Sequence, residues 1–316
     1  MKIGVIGVGY VGIAAAYSIF QQKLANELVL IDLNEKRAKA EAMDLMHGQA
    51  LVSRCLVTGG SDYALLHNAD IIVVAAGVAQ KDASETRVML LERNIKIFGS
   101  IVKELDTYCP NAIIIVATNP CEILTTYVQD VSRRAKYKVL GTGTLLDTSR
   151  LRSSIAQHYS ISSRSVHIYV LGEHGDGQFV SWSTASIAAK PLTEGAVING
   201  ITYDKKLLES KAEETTRAAY DIIDGKGYTN LAIGLCCAAI IRSIRDNEKA
   251  VLPLSVRLTG EYGIRGICVA NPAILGKDGI EALIELPLSP DELASMRAAA
   301  KTMSDLYHSV NPDAEP

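Results

Sequence analysis

The chain has 316 residues, room for about two domains, and its 48% hydrophobic and 21% charged residues mark an ordinary globular protein and exclude a disordered one. Its 32 Lys and Arg against 35 Asp and Glu leave a formal charge of −3, which excludes a nucleic-acid binder that relies on bulk basic charge. Aromatics are only 5%, with the single Trp at 182, so the core must be aliphatic, as in Val/Ile-rich parallel strands covered on both faces.

The first half alternates strand and helix. Lys2 to Ile6 reads as a buried strand, Val11 to Gln22 as a helix, Glu27 to Ile31 as a second strand and Glu35 to Ala50 as a helix. Short strands are expected at Arg54 to Thr58, Asp70 to Ala76, Ala112 to Ala117 and Lys138 to Leu140, with helices over Thr86 to Tyr108 and from Pro120 onward. Strands alternating with helices imply right-handed crossovers and a doubly wound parallel sheet. The second half is mixed. Helices are expected at Leu145 to His158, Asp204 to Asp224, Tyr228 to Arg245 and Pro290 to Ser309. Strands are expected at Ser165 to Leu171, Phe179 to Ala185, Val251 to Leu258 and Gly266 to Ala270, the last two antiparallel around a turn at Gly260 to Gly263. The division falls near residues 143 and 144, giving units 1–143 and 144–316 without a flexible tether.

The six cysteines, at 55, 109, 121, 236, 237 and 268, form no C-x-x-C pair and read as buried thiols in a reducing compartment. Lys2 followed by apolar residues to Phe20 superficially resembles a signal peptide, but Gly4, Gly7, Gly9 and Gly12 are too many for its helix. The longest apolar runs, such as Leu231 to Ile241, are about half of a membrane span. A soluble, cytoplasmic protein is expected.

Gly7-Val-Gly9-Tyr-Val-Gly12 fits G-x-G-x-x-G directly after a strand and at the start of a helix. The first glycine permits the tight turn, the second lets backbone approach a pyrophosphate, and the third lets helix and strand pack closely. Asp32 lies about 20 residues beyond Gly12, where a carboxylate accepts both ribose hydroxyls and repels a 2′-phosphate, favouring NAD over NADP. The competing role for Asp32 is to cap the following helix.

Among the histidines at 47, 67, 158, 167, 174 and 308, His174 stands apart in the polar, Gly-rich run Gly172-Glu-His-Gly-Asp176 after an apolar strand. A general acid/base His needs an orienting carboxylate. Asp147 supplies one, and Arg150, three residues on, shares its helix face and can meet a substrate carboxylate as a fork.

These motifs, with Ala75-Ala-Gly77, Ser84-Glu-Thr-Arg87 and Thr118-Asn-Pro120, run over nearly the whole chain, which resembles the L-lactate/malate dehydrogenase family. The resemblance is closest to its bacterial members activated by fructose 1,6-bisphosphate. It implies a Rossmann-type doubly wound sheet followed by a mixed α+β catalytic domain. It implies NAD as cofactor, at Gly7, Gly9, Val11, Gly12, Asp32, Ala76, Gly77 and Asn119, and no metal. His174 is implied as proton donor/acceptor, Asp147 as its partner, Arg150 as the substrate-carboxylate anchor, and Arg87 and Asn119 as the groups that polarise the ketone. Thr229 and Ile233 match pocket positions. A homo-oligomer, a tetramer, is implied.

In this family a loop position shortly before the catalytic Arg selects the acid, and malate enzymes carry Arg there. Here Gln80 occupies it, which favours pyruvate, because oxaloacetate would bury an unpaired carboxylate. The loop is one residue longer than the common lactate pattern and carries Lys81 beside Gln80. The resemblance leaves open a malate enzyme and a branched 2-hydroxyisocaproate enzyme. Arg152 and His167 stand at the offsets of a fructose 1,6-bisphosphate site and argue against the latter. Two other classes compete: a non-catalytic NAD sensor, which has no use for His174, Asp147, Arg150 and Arg87 together, and an NAD- and metal-dependent glycosidase, for which Cys121 is the suggestive residue.

Overall fold

The computed structural model describes residues 1–52, 54–78 and 87–312, the Arg87 side chain excepted. The strands are β1 (Lys2–Ile6), β2 (Glu27–Ile31), β3 (Leu56–Gly60), β4 (Ile71–Val74), β5 (Ile113–Val116), β6 (Val139–Gly141), β7 (Val166–His167), β8 (Val170–Gly172), β9 (Gln178–Val180), β10 (Ser186–Ile187), β11 (Lys190–Pro191), β12 (Val197–Ile198), β13 (Ile201–Thr202), β14 (Ala250–Thr259), β15 (Arg265–Gly276) and β16 (Gly279–Leu283). The α-helices are α1 (Tyr10–Gln21), α2 (Glu35–His47), α3 (Arg87–Tyr108), α4 (Cys121–Val131), α5 (Leu145–Tyr159), α6 (Lys205–Lys226), α7 (Leu231–Arg245) and α8 (Pro290–Val310).

The first six strands form the expected doubly wound parallel sheet, in the order β3-β2-β1-β4-β5-β6. Their side chains alternate between two apolar layers. Ile71 and Val73 of β4 face α1, α2 and α7, whereas Ile72 and Val74 face α3, α4 and α8. This two-sided burial explains why these strands read as unbroken aliphatic runs. The sheet continues into the second half: Gly141 of β6 pairs antiparallel with Ser255 of β14, followed by β15, β8 and β9. A third apolar cluster joins α5 to the small β7–β10–β11 sheet and α6.

Several expected elements differ in detail. The strand expected at Ser165 to Leu171 divides into β7 and β8, which belong to different sheets. The one expected at Phe179 to Ala185 stops at Val180 and gives way to a 3-10 turn at Trp182–Thr184. β15 is far longer than Gly266 to Ala270, because it pairs with β14 along its length and then with β16. All six cysteines are buried and free. No helix among the described residues is long and apolar enough to cross a membrane.

Candidate active site

The glycine turn sits where β1 ends against β4. Gly7 adopts φ +87, and a Cβ there would press on the Ala76 backbone at 2.5 Å. A Cβ on Gly12 would lie 1.8 Å from the Gly7 carbonyl oxygen, so this glycine lets α1 fold back onto the turn. Gly9 is different: a Cβ there meets nothing within 4 Å, and the residue borders a cavity of about 630 Å³ that Gly7, Asp32, Ala76 and Gly77 also line. The open backbone at Gly9 fits the approach of a dinucleotide's pyrophosphate, and the α1 N-terminus adds its partial positive charge.

Asp32 does not cap the following helix. Asn34 does, accepting from the Arg37 N–H at 3.1 Å. The Asp32 carboxylate instead accepts the Val8 N–H at 2.9 Å through Oδ2 and the Asn34 N–H at 2.9 Å through Oδ1. It thus ties the glycine turn to the end of β2 while lining the cavity.

In the second half of the chain, β8 ends at Gly172 and delivers His174 against the first two turns of α5. His174 Nδ1 lies 2.7 Å from Asp147 Oδ2, and Arg150 Nη1 donates to Asp147 Oδ1 at 3.2 Å. The Asp147 side chain is 6% exposed and that of His174 28%, so the pair is buried at its base and open at its tip. Burial alone would raise Asp147, but the His174 hydrogen bond and the His174 and Arg150 charges hold it below its ordinary value. Burial alone would lower His174, but the Asp147 hydrogen bond and the Asp147 and Glu122 charges outweigh it, and the imidazole is pushed up. A His so held has Nδ1 committed to the carboxylate and Nε2 left to exchange a proton with a ligand.

Asn119 is exposed and follows β5, and its peptide bond to Pro120 is cis. Thr229, just before α7, and Ile233, in its first turn, are half-buried. Val11 is half-buried in α1. Arg152 is turned away from Asp147: its Nε donates to the Ile168 carbonyl at 3.1 Å and its guanidinium lies over the Tyr169 ring at 5.1 Å. That places it beside the β7 segment carrying the exposed His167. Gln80 and Lys81 lie outside the described residues, as does the Arg87 side chain at the start of α3. Cys121 turns its thiol inward, where it donates to the Val116 carbonyl, and burial pushes it up to about 11.

Two polar residues at the site escape a sequence reading. Asn94, buried in α3, accepts the Val78 N–H at 2.9 Å and donates to the Asn119 carbonyl at 3.4 Å, bridging the ends of β4 and β5. Glu122, buried in α4, accepts the Ser255 hydroxyl at 2.7 Å. The signal for both is a polar side chain on the apolar face of a helix, which points to a partner without naming it.

Two family models match consecutive parts of the chain: the NAD-binding domain of lactate/malate dehydrogenases over residues 1–141 and their α/β C-terminal domain over residues 144–311. The chain belongs to the lactate/malate dehydrogenase family. It is an NAD-dependent dehydrogenase. Similar relatives include an L-lactate dehydrogenase from Salinibacter ruber, 44% identical over 96% of this chain and 95% of that one, and another from Kosmotoga olearia, 40% identical over 100% and 98%. Among solved structures, the minor L-lactate dehydrogenase of Enterococcus mundtii in its ligand-bound form is 36% identical, with a TM-score of 0.93 and 98% of both chains covered. A lactate dehydrogenase from a Medee basin deep-sea metagenome matches with the same values. The glycine turn, Asp32 and Asn119 fall within the NAD-binding match, and Asp147, Arg150 and His174 within the C-terminal one.

Proposed function

We propose that the protein is an L-lactate dehydrogenase that reduces pyruvate reversibly. The observation that carries this reading is the 2.7 Å His174–Asp147 pair, with Arg150 on the same helix turn, in a chain that also carries the dehydrogenase glycine turn. NAD, when bound, supplies or accepts the hydride at the substrate carbon. Protonated His174 gives its proton to the ketone oxygen, and Asp147 keeps the ring oriented and stabilises the imidazolium. Arg150 fixes the substrate carboxylate so that one face of the carbon is presented. Arg87 and Asn119 stabilise the charge on oxygen. Gln80, Thr229 and Ile233 border the substrate's methyl end, and a neutral Gln80 there selects pyruvate over a dicarboxylate. Cofactor contacts come from Gly7, Gly9, Val11, Gly12, Asp32, Ala76, Gly77 and Asn119. The chain divides functionally into 1–143 and 144–316.

The reading extends to assembly and control. The enzyme works in the cytoplasm as a homotetramer activated by fructose 1,6-bisphosphate bound at Arg152 and His167. The neighbourhood of Arg152 and the β7 segment supports a joint anion site there.

The test is NADH oxidation with pyruvate, oxaloacetate and 2-ketoisocaproate in parallel, each with and without the bisphosphate. Pyruvate is expected to lead in kcat/KM by about tenfold or more, and Gln80→Arg to raise oxaloacetate relative to pyruvate. A parent enzyme that prefers either competitor overturns the substrate assignment. Pyruvate saturation curves that coincide with and without the bisphosphate, over about pH 5 to 7.5, remove the effector.

A further inference from the structure

Helix α5 is fastened to β8 through side chains. β8 pairs with β9 along one edge, and at its other edge Gly172 is in register with Ala270 of β15. Val170 lies two residues short of that pair and is 3% exposed, so its backbone groups need partners from elsewhere. Two threonines supply them. Thr148 Oγ1 accepts the Val170 N–H at 3.0 Å, and Thr144 Oγ1 donates to the Val170 carbonyl at 2.5 Å. The Thr148 hydroxyl also donates to that carbonyl, at 3.5 Å. One turn on, Arg152 Nε continues the row with its bond to the Ile168 carbonyl.

Both threonines are fully buried, and neither hydroxyl serves its own helix. Thr144 is the N-cap residue of α5, where a hydroxyl ordinarily accepts a first-turn N–H, yet it forms no such cap. Thr125 and Thr126 of α4 bond back to the carbonyl four residues earlier, at 2.7 and 2.9 Å, whereas Thr148 reaches across to β8. Thr144, Asp147 and Thr148 stand at i, i+3 and i+4, so one face of α5 carries both hydroxyls and the carboxylate. Val170 lies four residues before His174, on the strand that delivers it. The Val170 clasp and the 2.7 Å Asp147–His174 contact are therefore two joints between the same pair of segments. Between the joints the chain turns at Gly172, which adopts φ +92. The chemistry makes the fit of helix to strand matter. Arg150, on α5, holds the substrate carboxylate, and His174, beyond β8, meets the ketone oxygen. A displacement of about 1 Å between two such groups costs on the order of a hundredfold in rate.

We propose that Thr144 and Thr148 are positioning residues for proton transfer: a paired hydroxyl clasp on the Val170 backbone that sets α5 against β8 and so aligns His174 with Asp147 and Arg150. The inference rests on the reading of His174 as the proton donor.

The experiment measures kcat and KM for pyruvate reduction per NADH-binding site, counted by fluorescence titration so that misfolded chains do not enter. The variants are Thr148→Val, Thr148→Ser and Thr144→Val, each alone and with Asp147→Asn. Ser243→Ala is the control, since Ser243 of α7 is equally buried and donates to the Leu275 carbonyl at 3.0 Å. Thr148→Val leaves the Val170 N–H without its acceptor, and is expected to lower kcat by about tenfold or more with KM within about twofold of the parent. Thr144→Val is expected to do the same by less, because Thr148 also reaches the carbonyl, and it carries the test if Thr148→Val does not fold. Thr148→Ser and Ser243→Ala are expected to keep the parent's kcat. With Asp147→Asn there is no carboxylate left to align, so the further loss from Thr148→Val is expected to shrink to about twofold or less. Losses that persist in full beside Asp147→Asn, or that Ser243→Ala reproduces, overturn the proposal, because a merely structural joint behaves that way. Parent-like kcat in both valine variants overturns it as well. Turnover that survives His174→Asn overturns the underlying reading instead, and the inference with it.

Discussion

At the scale of single residues, His174 and Asp147 shift each other in opposite directions, and this makes stability as well as proton transfer depend on pH. Asp147 is held below its ordinary 3.8, so its contribution is present above that value and is lost as the pH falls through the lowered one. His174 is held above its ordinary 6.5, so its contribution is present below that value and is lost as the pH rises through the raised one. The pair therefore stabilises most between about 3.8 and 6.5. In melting experiments from about pH 6 to 9, His174→Gln is expected to flatten the alkaline decline by a few degrees relative to the parent. Parallel declines would mean that the pair adds nothing to folding stability. The pair itself was legible in the sequence, because Asp147 and Arg150 share a helix face and His174 stands in a glycine-rich run after a strand. Glu122 and Asn94 were not. Their partners lie on β14 and in the segments that follow β4 and β5, and only the folded sheet brings these segments together.

At the scale of elements, the strands of the parallel sheet were readable because burial on both faces leaves aliphatic runs with no alternation to misread. The short strands of the second half were not, since β7, β10, β11, β12 and β13 are each two residues long and owe their pairing to tertiary contacts. The contact of α1 with α7 was also invisible, although it links the cofactor turn to the segment carrying Thr229 and Ile233. At one end of that contact the rings of Tyr10 and Tyr228 stack at 3.7 Å with 2° between their planes. Further along, a Cβ on Gly234 would meet the Ala14 backbone at 2.6 Å. Backbone against backbone has no flexible end to yield, so Gly234→Ala must push the helices apart. A loss of about 2 kcal/mol is expected, with weakened NADH binding. Gly225 in α6 has nothing within 4 Å of a Cβ, and Gly225→Ala is expected to be neutral or to stabilise by about 0.5 kcal/mol. Denaturant titration and NADH fluorescence check both. Equal effects of the two substitutions would show that the close approach carries no special cost.

At the scale of the whole molecule, the β6–β14 pairing runs one sheet through both matched regions, so the glycine turn after β1 and the His174 loop after β8 are carried by the same sheet. The outer faces of α1 and α7 tell a different story. Tyr10, Tyr17, Leu231 and Leu235 are each more than half exposed on these neighbouring helices in the single chain. Adjacent apolar side chains of that size are unusual on a free surface, and the proposed homo-oligomer would cover them. A self-complementary contact between two copies would use each residue twice. Placing a carboxylate at both Tyr17 and Leu235 would then bury four charges without partners across one two-fold axis. Tyr17→Glu with Leu235→Glu is expected to weaken self-association by about a thousandfold or more, as each such change costs on the order of 1–2 kcal/mol. Size-exclusion chromatography with light scattering at about micromolar chain concentration should show a smaller species than the parent. The melting temperature should fall as well, because association stabilises the folded chain by mass action. A variant whose mass equals the parent's at every concentration would assign the interface to another face. A variant of reduced mass that keeps its pyruvate turnover would show that each chain's cleft is complete without the partner across α1 and α7.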